Sequence, residues 1–195
     1  MYTEIDGNLI HKTAVIDWDS VVIGTGNKIG PYCCIGEDAQ HPRKASAGII
    51  RIGNNNTIRE FCRINKPTSW DSETTIGDDN YIMAGSHVDH DCVLEDNIRF
   101  STNTILSGNV YIMRGCVLGL GVLIHQQQVI GSYSMLGMGA IITKSLEVLP
   151  GHTYVGNPDK LLKLNSIGLE RNLITKKDLT VETIRFQTLR RRFQE

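Results

Sequence analysis

This 195-residue sequence has no long apolar run, no charge excess and no CxxC spacing of cysteines. Each absence removes a class of protein. Without about 18 consecutive apolar residues there is no membrane-spanning helix to place. Lys and Arg total 20 against 21 Asp and Glu, a net charge of −1, whereas a dedicated nucleic-acid binder shows a strong basic excess. The five cysteines (Cys33, Cys34, Cys62, Cys92, Cys116) are odd in number and never spaced CxxC, which argues against a disulfide scaffold or a zinc knuckle. The opening MYTEIDGNLIHKTAV has no basic start leading into an apolar stretch, so no secretory signal is read and a cytoplasmic address is the expectation. Aromatics are scarce, 6% of residues, although apolar residues at 41% suffice for a core.

Nineteen glycines beside so few aromatics direct attention to internal repeats. Counting by six from Ile52 reaches Ile58, Ile64, Trp70, Ile76, Ile82, Val88, Leu94, Phe100, Leu106, Ile112, Leu118, Ile124, Ile130, Leu136, Ile142 and Val148. Fifteen of these seventeen positions are aliphatic. A shorter run, Ile10, Ile16, then Ile23, Ile29 and Ile35 after a one-residue slip, precedes it. A period of six fits neither the 3.6 of a helix nor the 2 of an isolated strand. It is the signature of a parallel β-helix, in which each hexad is a short strand and a tight corner. The aliphatic residue points inward and stacks on its equivalent one coil away, about 4.8 Å along the axis. Large aromatics do not fit so narrow an interior. Cys92 and Cys116 fall four residues after a hexad aliphatic and read as small core residues.

Two segments break the rhythm. Residues 40–48 (QHPRKASAG) and 66–73 (KPTSWDSE) read as loops extruded from the coil, where function concentrates. The repeat stops near Pro150, and Val155-Gly-Asn-Pro158 reads as a turn. From about Leu161 the pattern becomes helical. Thr175-Lys-Lys-Asp178 resembles a capping box, and Val181, Ile184, Leu189 and Phe193 form an apolar stripe. Arg185 lies off that stripe, and the Arg190–Arg192 cluster reads as a solvated helix end. The expectation is an all-β chain: a parallel β-helix over 1–158, then a short α-helical segment over 159–195.

The hexapeptide run resembles the left-handed β-helix acyltransferases, and among them the UDP-N-acetylglucosamine O-acyltransferases of lipid A synthesis. The matching stretches are Ile58-Arg-Glu-Phe-Cys-Arg-Ile-Asn65, Gly85-Ser-His-Val-Asp-His-Asp-Cys92, Ile124-His-Gln126 and Asn165-Ser-Ile-Gly-Leu-Glu-Arg171. The resemblance implies a homotrimer with three hexads per coil and active sites in the clefts between subunits. It also implies acyl carrier protein as donor, a UDP-linked amino sugar as acceptor, and no tightly bound cofactor.

With three hexads per coil, about 18 residues, His90 lies beneath Gly108 and Asp91 beneath Asn109. Acyl transfer needs a base for the attacking hydroxyl or amine, and histidine ionises near working pH. It needs a donor for the tetrahedral oxyanion, which a bare glycine N–H supplies. A carboxylate that fixes the imidazole tautomer completes the set, and the resemblance gives that part to Asp91. Along a strand adjacent side chains point to opposite faces, so Asp91 reaches the ring only if it stands at a corner. The resemblance places Gln40, His87, Asn109, His125, Met135, Met138 and Arg171 along the substrate cleft.

Several departures from that family bear on the substrate. About two coils are missing after Ile35-Gly-Glu37. His41 stands where the family has an acidic residue in the sugar-contacting loop, and Asn109 replaces a further histidine. Met138 stands where a glycine admits a long acyl chain, so a short or medium acyl group is expected. Some left-handed β-helices are zinc carbonic anhydrases with His-x-x-x-x-His spacing; His87 and His90 are closer together, and no metal is expected. Two other readings stay open. Val155-Gly-Asn-Pro-Asp-Lys160 resembles the terminal turn of acetyl-CoA-dependent sugar acetyltransferases, and a solenoid without catalysis would serve as a trimeric scaffold.

Overall fold

The computed structural model describes residues 1–157 and 159–194. Its strands stack into three sheets that are parallel throughout except at the two ends, and together they form the faces of a left-handed β-helix. Each coil visits the faces in turn. Tyr81–Ile82 lies on the first, His87–Val88 on the second and Val93–Leu94 on the third. The next coil repeats the cycle eighteen residues on, pairing Tyr81 with Arg99, His87 with Ile105 and Val93 with Tyr111.

Sixteen of the seventeen hexad positions are buried, from Ile52 to Val148. Trp70 is the exception, 81% exposed. Its segment is an insertion of six residues, since here the register jumps by twenty-four, Arg63 facing His87 and Arg51 facing Thr75. An insertion one hexad long leaves the count in phase, so the periodicity cannot register it. Nor is the segment wholly loop: Thr68–Ile76 is a strand that pairs with Ala47–Ile52 through an irregular register. The segment at 40–48 belongs to a longer excursion, with Lys28 facing Thr57 twenty-nine residues on.

Where the third face turns into the first, Asn8, Asn27, Asn56 and Asn80 stack as a buried ladder. Each side-chain oxygen accepts the backbone N–H one coil above, ending with Ile98 N–H on Asn80 Oδ1 at 2.8 Å. These amides satisfy corner N–H groups whose burial would otherwise be costly. Cys92 and Cys116 line the interior, and burial pushes both thiols up to about 12.

The C-terminal region departs from the sequence pattern. Residues 159–164, read as helical from Leu161, form a strand antiparallel to His152–Gly156, because the chain folds straight back and its backbone completes the ladder. Pro158, the expected end of both the turn and the first domain, lies outside the described residues. Helix α1 spans Ser166–Arg171, capped by Asn165, whose side-chain oxygen accepts the Gly168 N–H. Helix α2 spans Lys176–Gln194. Its capping box forms: Thr175 N–H and hydroxyl donate to Asp178, and Asp178 N–H returns to Thr175 Oγ1.

The buried seam of α2 corrects the stripe. Val181 and Ile184 are exposed, while Glu182 and Phe186 are buried, with Leu189 and Phe193 packed against the same cluster. Met113 and Val129 on the third face select that seam. Charge fixes it as well. Arg185 Nη1 donates to Glu95 Oε2 at 2.9 Å, and Tyr111 and Arg114 N–H donate to the same carboxylate. Burial raises the Glu95 carboxyl, but Arg185 and Tyr111 outweigh it and hold it below its ordinary value. A depressed carboxyl stabilises fully above the unfolded value, about 4.3, and loses that contribution as pH falls through the lower folded value. Glu95→Gln is therefore expected to cost about 1–2 kcal/mol near neutrality and to flatten the acid side of the stability curve. Urea midpoints of both proteins between pH 3 and 7 check this; parallel curves would contradict it.

Candidate active site

Both inserted segments emerge at one place, the corner between the second and third faces. They occupy the two coils immediately below the one that carries His90. That corner is where the candidate chemistry collects.

His90 is buried, and its Nδ1 lies 2.8 Å from Asp91 Oδ2. Asp91 reaches the ring because its φ of +59° turns the chain at the corner, the left-handed conformation that Asp tolerates. Thr68, from the upper insertion, donates its hydroxyl to Asp91 Oδ2 at 2.8 Å, and Asp91 N–H donates to Thr74 Oγ1. Burial raises the Asp91 carboxyl; hydrogen bonds from Ser72, His90 and Thr68 outweigh it and leave it below its ordinary value. Asp91 is therefore ionised at neutral pH and can only accept. Nδ1 therefore donates to Asp91, and in the neutral imidazole this leaves on Nε2 the lone pair that a general base needs.

Gly108 lies directly over that ring. A Cβ placed on it would overlap Cε1 and Nε2 of His90. Its flanking amides serve the coil: Ser107 N–H bonds Ile124 O and Asn109 N–H bonds His90 O. The Gly108 N–H takes no acceptor among the described residues. An imidazole and an unspent N–H donor thus share one corner, groups able to take a proton and to bind an oxyanion.

Around them, His87 is buried, with Arg63 Nε donating to its Nδ1 at 3.2 Å and Asp89 Oδ1 3.9 Å from its Nε2. Asp89 also accepts the His90 N–H at 2.8 Å. Asn109 is half-buried one coil above Asp91. His125 is exposed two coils above Asp89 and donates from Nδ1 to Gln126 O. Gln40 is exposed on the lower insertion, and its neighbour His41 meets the His90 ring edge-on, centroids 5.5 Å apart. Lys66 ties down that insertion through Asp38 and Asp17.

The remaining expected residues lie elsewhere on the same chain. Met135 is exposed on the first face, and Met138, 74% exposed, stands at the corner between the first and second faces. Arg171, at the end of α1, lines a cavity of about 200 Å³ beside the first face with Asp79, Asn97 and Arg99. None of these three shares the His90 corner in one chain, since they lie on the first face, beside it or at its edge with the second.

Sequence reasoning missed Thr68, Thr74, Arg63 and Asp89 as supports of the two histidines, and missed the contact between His41 and His90. Thr68 had a signal, its place in an insertion, and Asp89 another, its place between two histidines.

No protein-family model matches the chain. Among curated proteins, it is 38% identical over 160 residues to the acyl-[acyl-carrier-protein]–UDP-N-acetylglucosamine O-acyltransferase of Synechocystis sp., covering 81% of this chain and 57% of that protein. The protein of the same name from Verminephrobacter eiseniae is 37% identical over 151 residues, covering 76% of this chain and 57% of that protein. The chain thus spans little more than half the length of these relatives. Among solved structures, the UDP-N-acetylglucosamine acyltransferase of Bacteroides fragilis superposes with a TM-score of 0.83 at 29% identity, over 91% of this chain and 69% of that one. The enzyme from Campylobacter jejuni gives 0.70 at 27%, over 92% and 83%. The acetyltransferase domain of PglB from Neisseria gonorrhoeae, solved with acetyl coenzyme A, gives 0.51 at 24% over 80% and 58%, a likeness of fold alone.

Proposed function

Because this chain is a hexapeptide-repeat β-helix related to the UDP-N-acetylglucosamine O-acyltransferases, we propose that it moves an acyl group from acyl carrier protein to a UDP-linked amino sugar. The observation that carries the proposal is the corner where Asp91, His90 and the Gly108 amide meet. His90 Nε2 takes the proton of the attacking hydroxyl as its oxygen adds to the thioester carbonyl. The Gly108 N–H stabilises the resulting oxyanion. Collapse breaks the C–S bond, and the imidazolium, steadied by Asp91, returns the proton to the departing thiolate. The thioester is already activated, so no acyl-enzyme is required. His87, Asn109, His125 and Gln40 border the acceptor side.

Met135, Met138 and Arg171 enter the same cleft only from a second copy. The reading is therefore a cyclic homotrimer in which the His90 corner of one copy faces the first face of the next. The curated relatives are named for acyl carrier protein, so the acetyl-CoA alternative draws no support from them. No helix among the described residues is long and apolar enough to cross a membrane, and a cytoplasmic site of action is part of the proposal.

One preparation assayed with acyl carrier protein thioesters of increasing chain length and with acetyl-CoA, UDP-N-acetylglucosamine as acceptor, tests both donor and length. Turnover is expected with the carrier protein and should peak at a short or medium chain. Met138→Gly should move the optimum to longer chains. Highest wild-type turnover with the longest chain would remove Met138 from the site, and transfer from acetyl-CoA alone would replace the donor. A scaffold without catalysis would turn over neither.

A further inference from the structure

We propose that the inserted segment Thr68–Glu73 is an anchor between subunits. The Trp70 indole of one copy seats in the cleft formed by Tyr2, Lys28, Arg59 and Tyr81 on the first face of the next copy. This rests on the cyclic arrangement above, in which that corner and that face meet.

Trp70 is one of two tryptophans in a chain poor in aromatics, and it is the most exposed large aromatic side chain among the described residues. Its segment is not needed to close the coil, since the coils above it close without those six residues. Exposing an indole at the tip of an insertion costs favourable burial, and Trp is enriched among residues that carry association energy.

Height selects the cleft. Rotation about an axis along the solenoid moves a residue sideways and leaves its level unchanged. Within its coil Trp70 follows Thr57–Ile58 and precedes Tyr81–Ile82, so it stands at the level between those two strands of the first face. A cleft of about 610 Å³ opens there, lined by Tyr2, Lys28, Thr57, Arg59, Glu60 and Tyr81.

Chemistry agrees with height. The cleft has aromatic walls and cations that already engage rings: Lys28 Nζ lies 5.1 Å from the Tyr2 centroid, and Arg59 donates to the Tyr81 hydroxyl at 3.3 Å. An indole offers the same kind of face to both cations. Asp71 and Glu73 follow Trp70 and would carry acidic charge toward the Lys28 and Arg59 of the cleft. Within one chain Glu73 pairs with Arg51 and Arg59 with Glu60, both at exposed positions where such pairs contribute little and re-form readily.

Trp18→Phe leaves Trp70 as the sole tryptophan, and its emission reports the contact directly. In the assembled protein, its mass fixed by light scattering, emission should be blue-shifted and shielded from acrylamide, and should become solvent-like on dilution to the monomer. Trp70→Ala should raise the dissociation constant of the assembly about 10- to 100-fold without changing the thermal midpoint of the monomer. Tyr81→Ala should do the same, and the double variant should be little worse than either, as for residues in contact. Solvent-like Trp70 emission in an intact trimer, or an unchanged dissociation constant in Trp70→Ala, overturns the anchor and leaves the shared cleft standing. A wild-type protein that stays monomeric at all concentrations removes both.

Discussion

His90→Ala is expected to lower acyl transfer by about 10²–10⁴-fold, the usual contribution of a positioned general base, while leaving the fold and thermal midpoint nearly unchanged. His90 occupies a corner, and the core is carried by residues such as Val88, Cys92 and Leu94 on either side of it. Asp91→Asn keeps the shape but offers an amide where a carboxylate accepted the Nδ1 proton, so the ring is no longer held as the Nε2 base. It should cost a comparable factor in kcat with little change in KM for the sugar nucleotide. The double variant should be no slower than His90→Ala, because Asp91 acts through the ring. Steady-state rates and circular dichroism of the three variants check this. Loss confined to KM, or additive losses, would mean that His90 binds the acceptor without taking its proton.

Gly108→Ala should be nearly as damaging, for a reason confined to one atom. The new methyl would occupy the space of His90 Cε1 and Nε2. Either the imidazole swings out and breaks its bond to Asp91, or the corner shifts and misaims the Gly108 N–H. Misplacement of a catalytic group by about 1 Å can cost on the order of 10²-fold, and the loss should appear in kcat. Gly121 is the control, also at a corner and with open space where its Cβ would go. Gly121→Ala, at a φ of +66°, is expected to cost stability but little activity. Activity of Gly108→Ala within about twofold of wild type would show that His90 does not work from this position.

The acid loss of the α2 latch through Glu95, the chain-length optimum at Met138 and the Trp70 anchor probe three other regions of the same solenoid. They fail independently of the two corner variants, because Glu95 faces α2, Met138 stands at another corner and Trp70 lies outside the coil.

The solenoid was readable from residues alone because its stabilising contact repeats. Each hexad apolar residue except Trp70 buries itself against the equivalent residue of the next coil, so one local rule is written sixteen times and chance cannot mimic it. Once three hexads per coil were supplied by the resemblance, the same arithmetic placed His90 beneath Gly108. The capping box of α2 was legible for a similar reason, since its three hydrogen bonds all lie within four residues.

What failed did so where the deciding contact was distant in sequence. The stripe of α2 could be drawn through Val181 and Ile184 as easily as through Glu182 and Phe186 until Met113, Val129 and Glu95 selected the buried side. Leu161–Leu164 carries an apolar pattern compatible with either a helix or a strand, and pairing with His152–Gly156 decided it. Thr68 and His41 sit on excursions whose paths no period describes, yet their landing points give Asp91 its support and His90 its neighbour. Periodicity thus determined the coil and, with three hexads per coil taken from the resemblance, the placing of His90 beneath Gly108. Tertiary folding alone determined what surrounds His90, because insertions follow long-range hydrogen bonds and packing that leave no rhythm in the chain.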